Sequence, residues 1–282
     1  MTDDLQHVVR DLVARALAED LGPEGDLTSV ALVPDSVMGH GRIVARALGV
    51  QSGSAVATEA FRQVDPSISV EWHRIDGDTV WPGDVLATVD GPYRSMLTAE
   101  RTALNALCHL SGVASLTRRF VEITGPRTTV LDTRKTLPGL RALEKAAVIA
   151  GGGTNHRRGL SDAVLVKDNH LAVVGIAEAV ALARSRWPGR MVEVECDTLD
   201  QVEEARAAGA DRILLDNMTP DDVRTAVERL AGSVPVEVSG GVTLDNVADY
   251  AAAGADYVSV GALTHSAPAL DLSLEVEPSG EG

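Results

Sequence analysis

Lysine is nearly missing from this 282-residue sequence: Lys135, Lys145 and Lys167 stand against 22 arginines. Where surface charge is habitually supplied by Arg, a retained Lys is expected to do something specific. Cysteine is as scarce. Cys108 and Cys196 cannot form a disulfide framework, and no other Cys or His lies at zinc spacing from either. No stretch approaches the roughly 18 consecutive apolar residues of a membrane helix. The opening MTDDLQHVVRDL is acidic and periodic and lacks the basic start and apolar run of a secretory signal, so a cytoplasmic location is expected. There is no P-loop pattern and no GxGxxG, which leaves a Walker-type nucleotide site and a dinucleotide fold without support.

What is present is ordinary in amount and uneven in distribution. Hydrophobic residues make up 45% and charged residues 23%, the mixture of a globular chain rather than a disordered or coiled-coil one. The length suggests about two domains at roughly 150 residues each. The net charge of −16 argues against nucleic acid or an anionic membrane as a partner. Residues 101–170, however, hold 11 Lys/Arg against 5 Asp/Glu, a local +6, and the remainder holds 14 against 36. All three lysines lie in that basic quarter. A solvated face is the simplest explanation of such a run; a site for an anion is the other.

The first 110 residues read as a mixed α/β layer domain. Leu5, Val8, Val9, Leu12, Val13, Ala16 and Leu17 sit at helical spacing, and the GPEGD turn at 22–26 ends that helix. Alternating runs follow (GRIVARAL, ISVEWHRI, VLATVDG), interrupted by a helical patch over 54–64. The DGDTVWPGDVLATVDG segment is similar to a carrier-domain hairpin but lacks the lysine such domains modify, and it is read as structural. A long helix is expected from Leu97 to about Ile123, with Gly112 as a break or a close-packing point.

Beyond it the texture becomes regular. Apolar runs at 129–131, 163–166, 192–194, 213–215, 236–238 and 257–260 alternate with helical segments such as LDQVEEARAAG and TPDDVRTAVERLAG. Spacings this short admit only strand–turn–helix–turn units, hence a parallel sheet. The runs end in Asp132-Thr133-Arg134-Lys135, Lys167-Asp168-Asn169-His170, Glu195, Asp216-Asn217, Ser239-Gly240-Gly241 and Gly261. Polar or glycine residues at every carboxyl end favour a barrel over a doubly wound sheet, which would gather them at one crevice. Six strands are evident; a further one is not.

These strand ends carry chemistry. SGGV followed one unit later by VSVGALTHS suits a phosphate, since glycine lets the backbone approach an oxyanion and helix-start N–H groups meet it. Ser239, Gly240, Gly241 and Gly261 are the candidates, with His265 as an added donor; two ordinary glycine turns are the alternative. Arg134, Lys135, His156, Arg157, Arg158 and Lys167 offer forks and point charges for a small polyanion, with Arg158, Arg141 and Lys145 the members most readily explained as solvated. Lys167 at a strand end could instead form a Schiff base, because surrounding like charges favour a neutral, nucleophilic amine. Glu195 and Asp216 form a carboxylate pair suited to sugar hydroxyls, Mg²⁺, a developing positive charge or acid–base work. Cys196 points to the opposite side of the strand from Glu195 and is read as packing.

Taken together and in order, ALAEDLGPEGDLTS, AERTALNALCHLSGVAS, DTRKTLPGLRALEK, GGGTNHRRGLSDAVLVKDNH, VEVE, ILLDNM, VSGGV and DYVSVGALTHS resemble the quinolinate phosphoribosyltransferase family. The likeness spans most of the chain; one departure is Ala146, where many members carry tyrosine.

The resemblance implies a type II phosphoribosyltransferase-like fold: an N-terminal α/β sandwich domain (1–110, with the tail 267–282 packing back on it) and an open, seven-stranded parallel α/β barrel (111–266). It implies transfer of phosphoribosyl from phosphoribosyl pyrophosphate (PRPP) to quinolinate with decarboxylation, and Mg²⁺ as cofactor. It also implies a homodimer or higher homo-oligomer with Arg101 reaching the neighbour's site. Thr133, Arg134, His156, Arg157 and Lys167 would hold quinolinate, with Lys135 nearby; Glu195 and Asp216 would meet ribose and, directly or through water, the metal. Lys135, Lys167, Glu195 and Asp216 would be the catalytic group. The SGG turn, Gly261 and His265 would take the 5-phosphate. A related transferase for another aromatic acid, a Lys167 aldolase and a silent anion-binding module are the rival readings.

Overall fold

The computed structural model describes residues 3–279, and the chain divides into two compact units. The first comprises residues up to 116, 137–152 and from 266 on; the second comprises 117–136 and 153–265. The expected boundaries put 137–152 with the barrel, but the helix Arg141–Ala150 groups with the first unit. Residues 1–2 and 280–282, at the two ends of the expected first domain, lie outside the described residues.

In the first unit a four-stranded antiparallel sheet runs in the order Leu272–Pro278, Met38–Ala45, Val85–Pro92, Ser69–Trp72. Period-two alternation decides its faces: Ile43 is buried while Met38, His40 and Arg42 are exposed. Ile43, Ala87 and Val89 share the buried face, and Leu86, the extra residue at the register shift beside Ile43 and Val44, is also fully buried. The helices Asp3–Leu21 and Ser54–Val64 bury Val9, Val13, Ala57, Ala60 and Phe61. The strand Leu272–Pro278 pairs along Met38–Ala45 from Ala45↔Leu272 to Gly39↔Pro278.

The long helix runs unbroken over Tyr93–Thr124. Gly112 is therefore a close-packing point and not a break, because a Cβ there would run into the carbonyl oxygen of Pro268. Lys145 corrects another expectation: it is 2% exposed rather than solvated, whereas Arg158 is exposed.

The second unit holds the parallel sheet. Its six strands order as Thr129–Leu131, Tyr257–Ser259, Val236–Ser239, Arg212–Asp216, Val192–Cys196, Val164–Val166. The seventh position is a single residue. Thr154 bridges Leu131 in parallel, its N–H donating to Val130 O at 2.9 Å and its carbonyl accepting from Asp132 N at 3.2 Å. The strands thus follow chain order around a barrel that stays open between Thr154 and Val164–Val166, with residues 155–163 joining the two free edges. Well-capped helices return the chain between strands. Thr198 and Gln201 form a capping box for Leu199–Ala208, and Thr219 and Asp222 do so for Pro220–Leu230.

Candidate active site

Each barrel strand turns alternate side chains inward, and the parity is visible in the register. On Val192–Cys196 the valines and Cys196 belong to one face and Glu193 and Glu195 to the other. Cys196 is fully buried, and burial, then the Asp197 and Glu195 charges, push its thiol up to about 12, so it packs and does not react. Leu214 and Asp216 share a face on Arg212–Asp216, as do Glu237 and Ser239 on Val236–Ser239.

These inward residues surround a cavity of about 460 Å³. Arg134, Arg157 and Lys167 line it together, as do Thr133, Lys135 and His156. Glu195, Asp216 and Ser239 complete the set of expected residues around it. The structure adds Glu237, Ser259, Leu165 and Leu214, which strand-end reasoning overlooked.

Local hydrogen bonds hold the pieces. Lys135 N donates to Thr133 Oγ1 at 3.0 Å, and Thr264 Oγ1 donates to Lys135 O at 2.8 Å, tying that loop to the short helix Ala262–His265. His156 N donates at 2.8 Å to the wholly buried Asp132. The Lys167 ammonium is ion-paired with Glu195, whose side chain is nearly buried.

Charge inside the cavity is not balanced locally. Burial, then the neighbouring charge of Arg134, lowers the Arg157 pKa from its ordinary value. Burial, then the charge of Glu195, raises the Asp216 pKa above its ordinary value, against a lowering pull from Lys167. One wall thus disfavours its own cations and would gain from an anion. The other disfavours its own anions and would gain from a cation.

Of the expected phosphate residues Ser239 lines the cavity, whereas Gly240, Gly241, Gly261 and His265 are not part of its lining. Gly240 has φ +88°, the left-handed region that glycine tolerates, and a Cβ there would strike Asn217. Gly261 lies against the Lys135 side chain and the His265 ring, where a Cβ would come within 3.1 and 3.2 Å of them. The helix after the SGG turn begins only at Val247, so that turn presents loop N–H groups rather than a helix start. Arg101 belongs to the first unit, is exposed and pairs with Glu100 at 2.9 Å.

His156, Glu193 and Glu237 place ligand-type atoms within 4.8 Å of one another. Protein cations already occupy that cluster: Arg212 Nη1 lies 2.8 Å from Glu237 Oε2, and His156 Nε2 lies 3.0 Å from Glu193 Oε2. It is an internal ion network. Glu195 and Asp216, by contrast, offer the oxygen-only donors Mg²⁺ prefers, and a dication would offset the burial and the Glu195 repulsion that raise Asp216.

Two family models match most of the chain, one after the other. The quinolinate phosphoribosyl transferase N-terminal domain matches residues 26–111, and the C-terminal domain of that enzyme matches 113–275. The chain belongs to the quinolinate phosphoribosyltransferase family. It is 44% identical to the nicotinate-nucleotide pyrophosphorylase [carboxylating] of Mycobacterium leprae over 95% of this chain and 96% of that one. The solved nicotinate-nucleotide pyrophosphorylase of Francisella tularensis superposes with a TM-score of 0.92 at 40% identity, covering 96% of this chain and 97% of that one. NadC from Streptococcus pyogenes gives 0.94 at 40% identity, covering 99% of this chain and the whole of the other. Among the described residues no helix is long and apolar enough to cross a membrane.

Proposed function

We propose that the protein transfers the phosphoribosyl group of PRPP to the ring nitrogen of quinolinate, with loss of the 2-carboxylate. The products are nicotinate mononucleotide, pyrophosphate and carbon dioxide, and the step belongs to NAD biosynthesis. The observation that carries this reading is the convergence of Arg134, Arg157 and Lys167 on one cavity, beside a Glu195/Asp216 wall. A dicarboxylate would place negative charge beside the mutually repelling guanidinium groups, and Arg forks match carboxylates bidentately.

The chemistry follows from the two walls. The pyridine nitrogen attacks the anomeric carbon as the bond to pyrophosphate breaks. The ribosyl centre becomes oxocarbenium-like, and Glu195 and Asp216 stabilise it electrostatically. The ring nitrogen is then cationic. Loss of the 2-carboxylate as carbon dioxide leaves its electron pair at the ring carbon, stabilised by the adjacent positive nitrogen, and a proton completes the product. Lys135 is placed to meet phosphate or pyrophosphate oxygens, and the loops at Gly240, Gly241 and Gly261, with His265, to meet the 5-phosphate. Mg²⁺ entering with PRPP would be held by Glu195 and Asp216 and would neutralise pyrophosphate charge. Lys167 is engaged by the Glu195 carboxylate rather than set among cations alone, which argues against a Schiff-base aldolase. A homodimer in the cytoplasm, with the exposed Arg101 completing the neighbour's site, accounts for a cation that the barrel does not use.

Incubating the protein with quinolinate, PRPP and Mg²⁺ is expected to yield carbon dioxide and nicotinate mononucleotide, and chelation of Mg²⁺ to stop turnover. Absence of both products rejects the reading. Mixing Arg101→Ala with Lys167→Ala chains is expected to restore partial activity; no recovery after verified subunit exchange rejects the shared site.

A further inference from the structure

Beneath the cavity the inward face of the barrel continues in charged residues. Barrel interiors are ordinarily filled with branched apolar side chains; here Glu193 and Glu237, both 0% exposed, occupy such positions. Burying a carboxylate costs several kcal/mol even after relaxation, and replacing buried ion pairs with apolar residues is often neutral or stabilising. Folding alone does not call for them.

Their surroundings show what they hold. Glu237 accepts from Arg212 Nη1 at 2.8 Å and from Ser259 Oγ, and Arg212 stacks over the Tyr257 ring at 4.1 Å. Glu237 is thereby fixed, with one oxygen 3.4 Å from His156 Nε2. Glu193 is different: both of its carboxylate oxygens are buried without a well-aligned hydrogen bond, and the 3.0 Å approach of His156 Nε2 is its compensating charge contact. On the far side of the ring, Arg157 N donates to His156 Nδ1 at 2.8 Å. The His156 ring thus links the buried carboxylates to the main chain of Arg157, a cation of the cavity wall.

Burial opposes a charged imidazole, but the two carboxylates outweigh it and hold the His156 pKa up at about 9. The Arg157 amide favours the neutral ring. That contact belongs to the neutral Nε2–H ring, and a proton added at Nδ1 breaks it. In either state Nε2 carries a hydrogen toward the carboxylates. The charged or titratable groups facing His156 are Glu193, Glu237, Arg157 and, through its main chain, Asp132.

We propose that Glu193 and Glu237 are positioning residues that seat His156 through its Nε2 and so place this ring, itself part of the cavity wall, for a dicarboxylate ligand. The inference rests on the quinolinate reading and deepens it: recognition of the acid depends on carboxylates that act on it through the His156 ring. The network acts through His156, an expected quinolinate contact, so its effect should fall on quinolinate rather than on PRPP.

The test uses the full chain with Glu193→Gln, Glu237→Gln, His156→Ala and the Glu193→Gln/His156→Ala double variant. Quinolinate and PRPP are titrated separately, and steady-state kinetics are measured with each. Each Gln variant is expected to weaken quinolinate binding and raise its KM about tenfold, with kcat and the PRPP dissociation constant within a few-fold. In the His156→Ala background, Glu193→Gln should add nothing, as coupled neighbours require. Ser259→Ala, which keeps every charge, should move the quinolinate KM the same way by a smaller factor and covers the case of Gln variants that fail to fold. Unchanged quinolinate binding, equal loss for both ligands, or additive effects with His156→Ala would overturn the proposal while leaving the quinolinate reading standing. Wild-type protein that binds no quinolinate overturns both.

Discussion

The two sheets of this protein bury opposite things. The antiparallel sheet turns Ile43, Ala87 and Val89 into its core, whereas the parallel sheet turns Glu193, Glu195, Glu237 and Ser259 into the barrel. The same alternation produces both, so the difference lies in which residues were placed at the inward parity. The first arrangement maximises removal of apolar surface from water. The second spends stability to hold fixed charges where water is scarce, and there electrostatic interactions are strongest. Stability and recognition are therefore separable by mutation.

The largest expected effect breaks the barrel side alone. Arg157→Ala removes a guanidinium already disfavoured by burial and by Arg134. Quinolinate affinity should fall by about 2–5 kcal/mol, the range for truncating one partner of a buried charge pair. The melting temperature should stay or rise, because a repulsion is lost. Titration calorimetry and a thermal melt check both halves; a destabilised chain with intact affinity would contradict the anion-wall assignment. Leu86→Ala should do the reverse. Leu86 is fully buried, and large-to-small changes at such sites cost about 2–5 kcal/mol. The melt should move down while the folded fraction binds quinolinate as before.

That separation also explains what the sequence could disclose. Periodicity marked the helix Ser54–Val64 and the six strand runs because local pattern and burial agree there. Thr154 escaped, since a one-residue bridge has no period to detect. Lys145 and the grouping of 137–152 depend on long-range packing that composition does not encode. The cavity residues were legible as strand ends, and family likeness gave them roles. Glu193, Glu237 and Arg212 were legible in principle: they stand two or four residues before Glu195, Ser239 and Asp216, on the same inward parity. Attention to strand ends alone passed over them. The departure at Ala146 falls on an exposed position of the helix Arg141–Ala150, so this chain's own core does not require the tyrosine.

A pH experiment sharpens the contrast further. The folded His156 pKa of about 9 lies above its ordinary 6.5. Its contribution to stability is fully present below about pH 6.5 and is lost as pH rises through about 9. Melting temperatures of wild type and His156→Gln between pH 6 and 10 should therefore converge on the alkaline side. A difference that is constant across that range would show that the ring carries no extra proton in the folded state.

The smallest expected effect returns to the antiparallel sheet and uses one of its exposed ion pairs as a control. Arg42 and Glu275 pair at 2.9 Å across the strands Met38–Ala45 and Leu272–Pro278, both substantially exposed. Solvent screens such pairs, and exposed bridges are worth about 0–1 kcal/mol. Glu275 also meets Arg46 at 2.7 Å, so losing Arg42 leaves the carboxylate with a partner. Arg42→Ala should shift the melt by no more than a degree or two at moderate salt, and less at high salt. A shift comparable to that of Leu86→Ala would mean that charge also holds the antiparallel sheet. The two halves of the molecule would then no longer differ in kind.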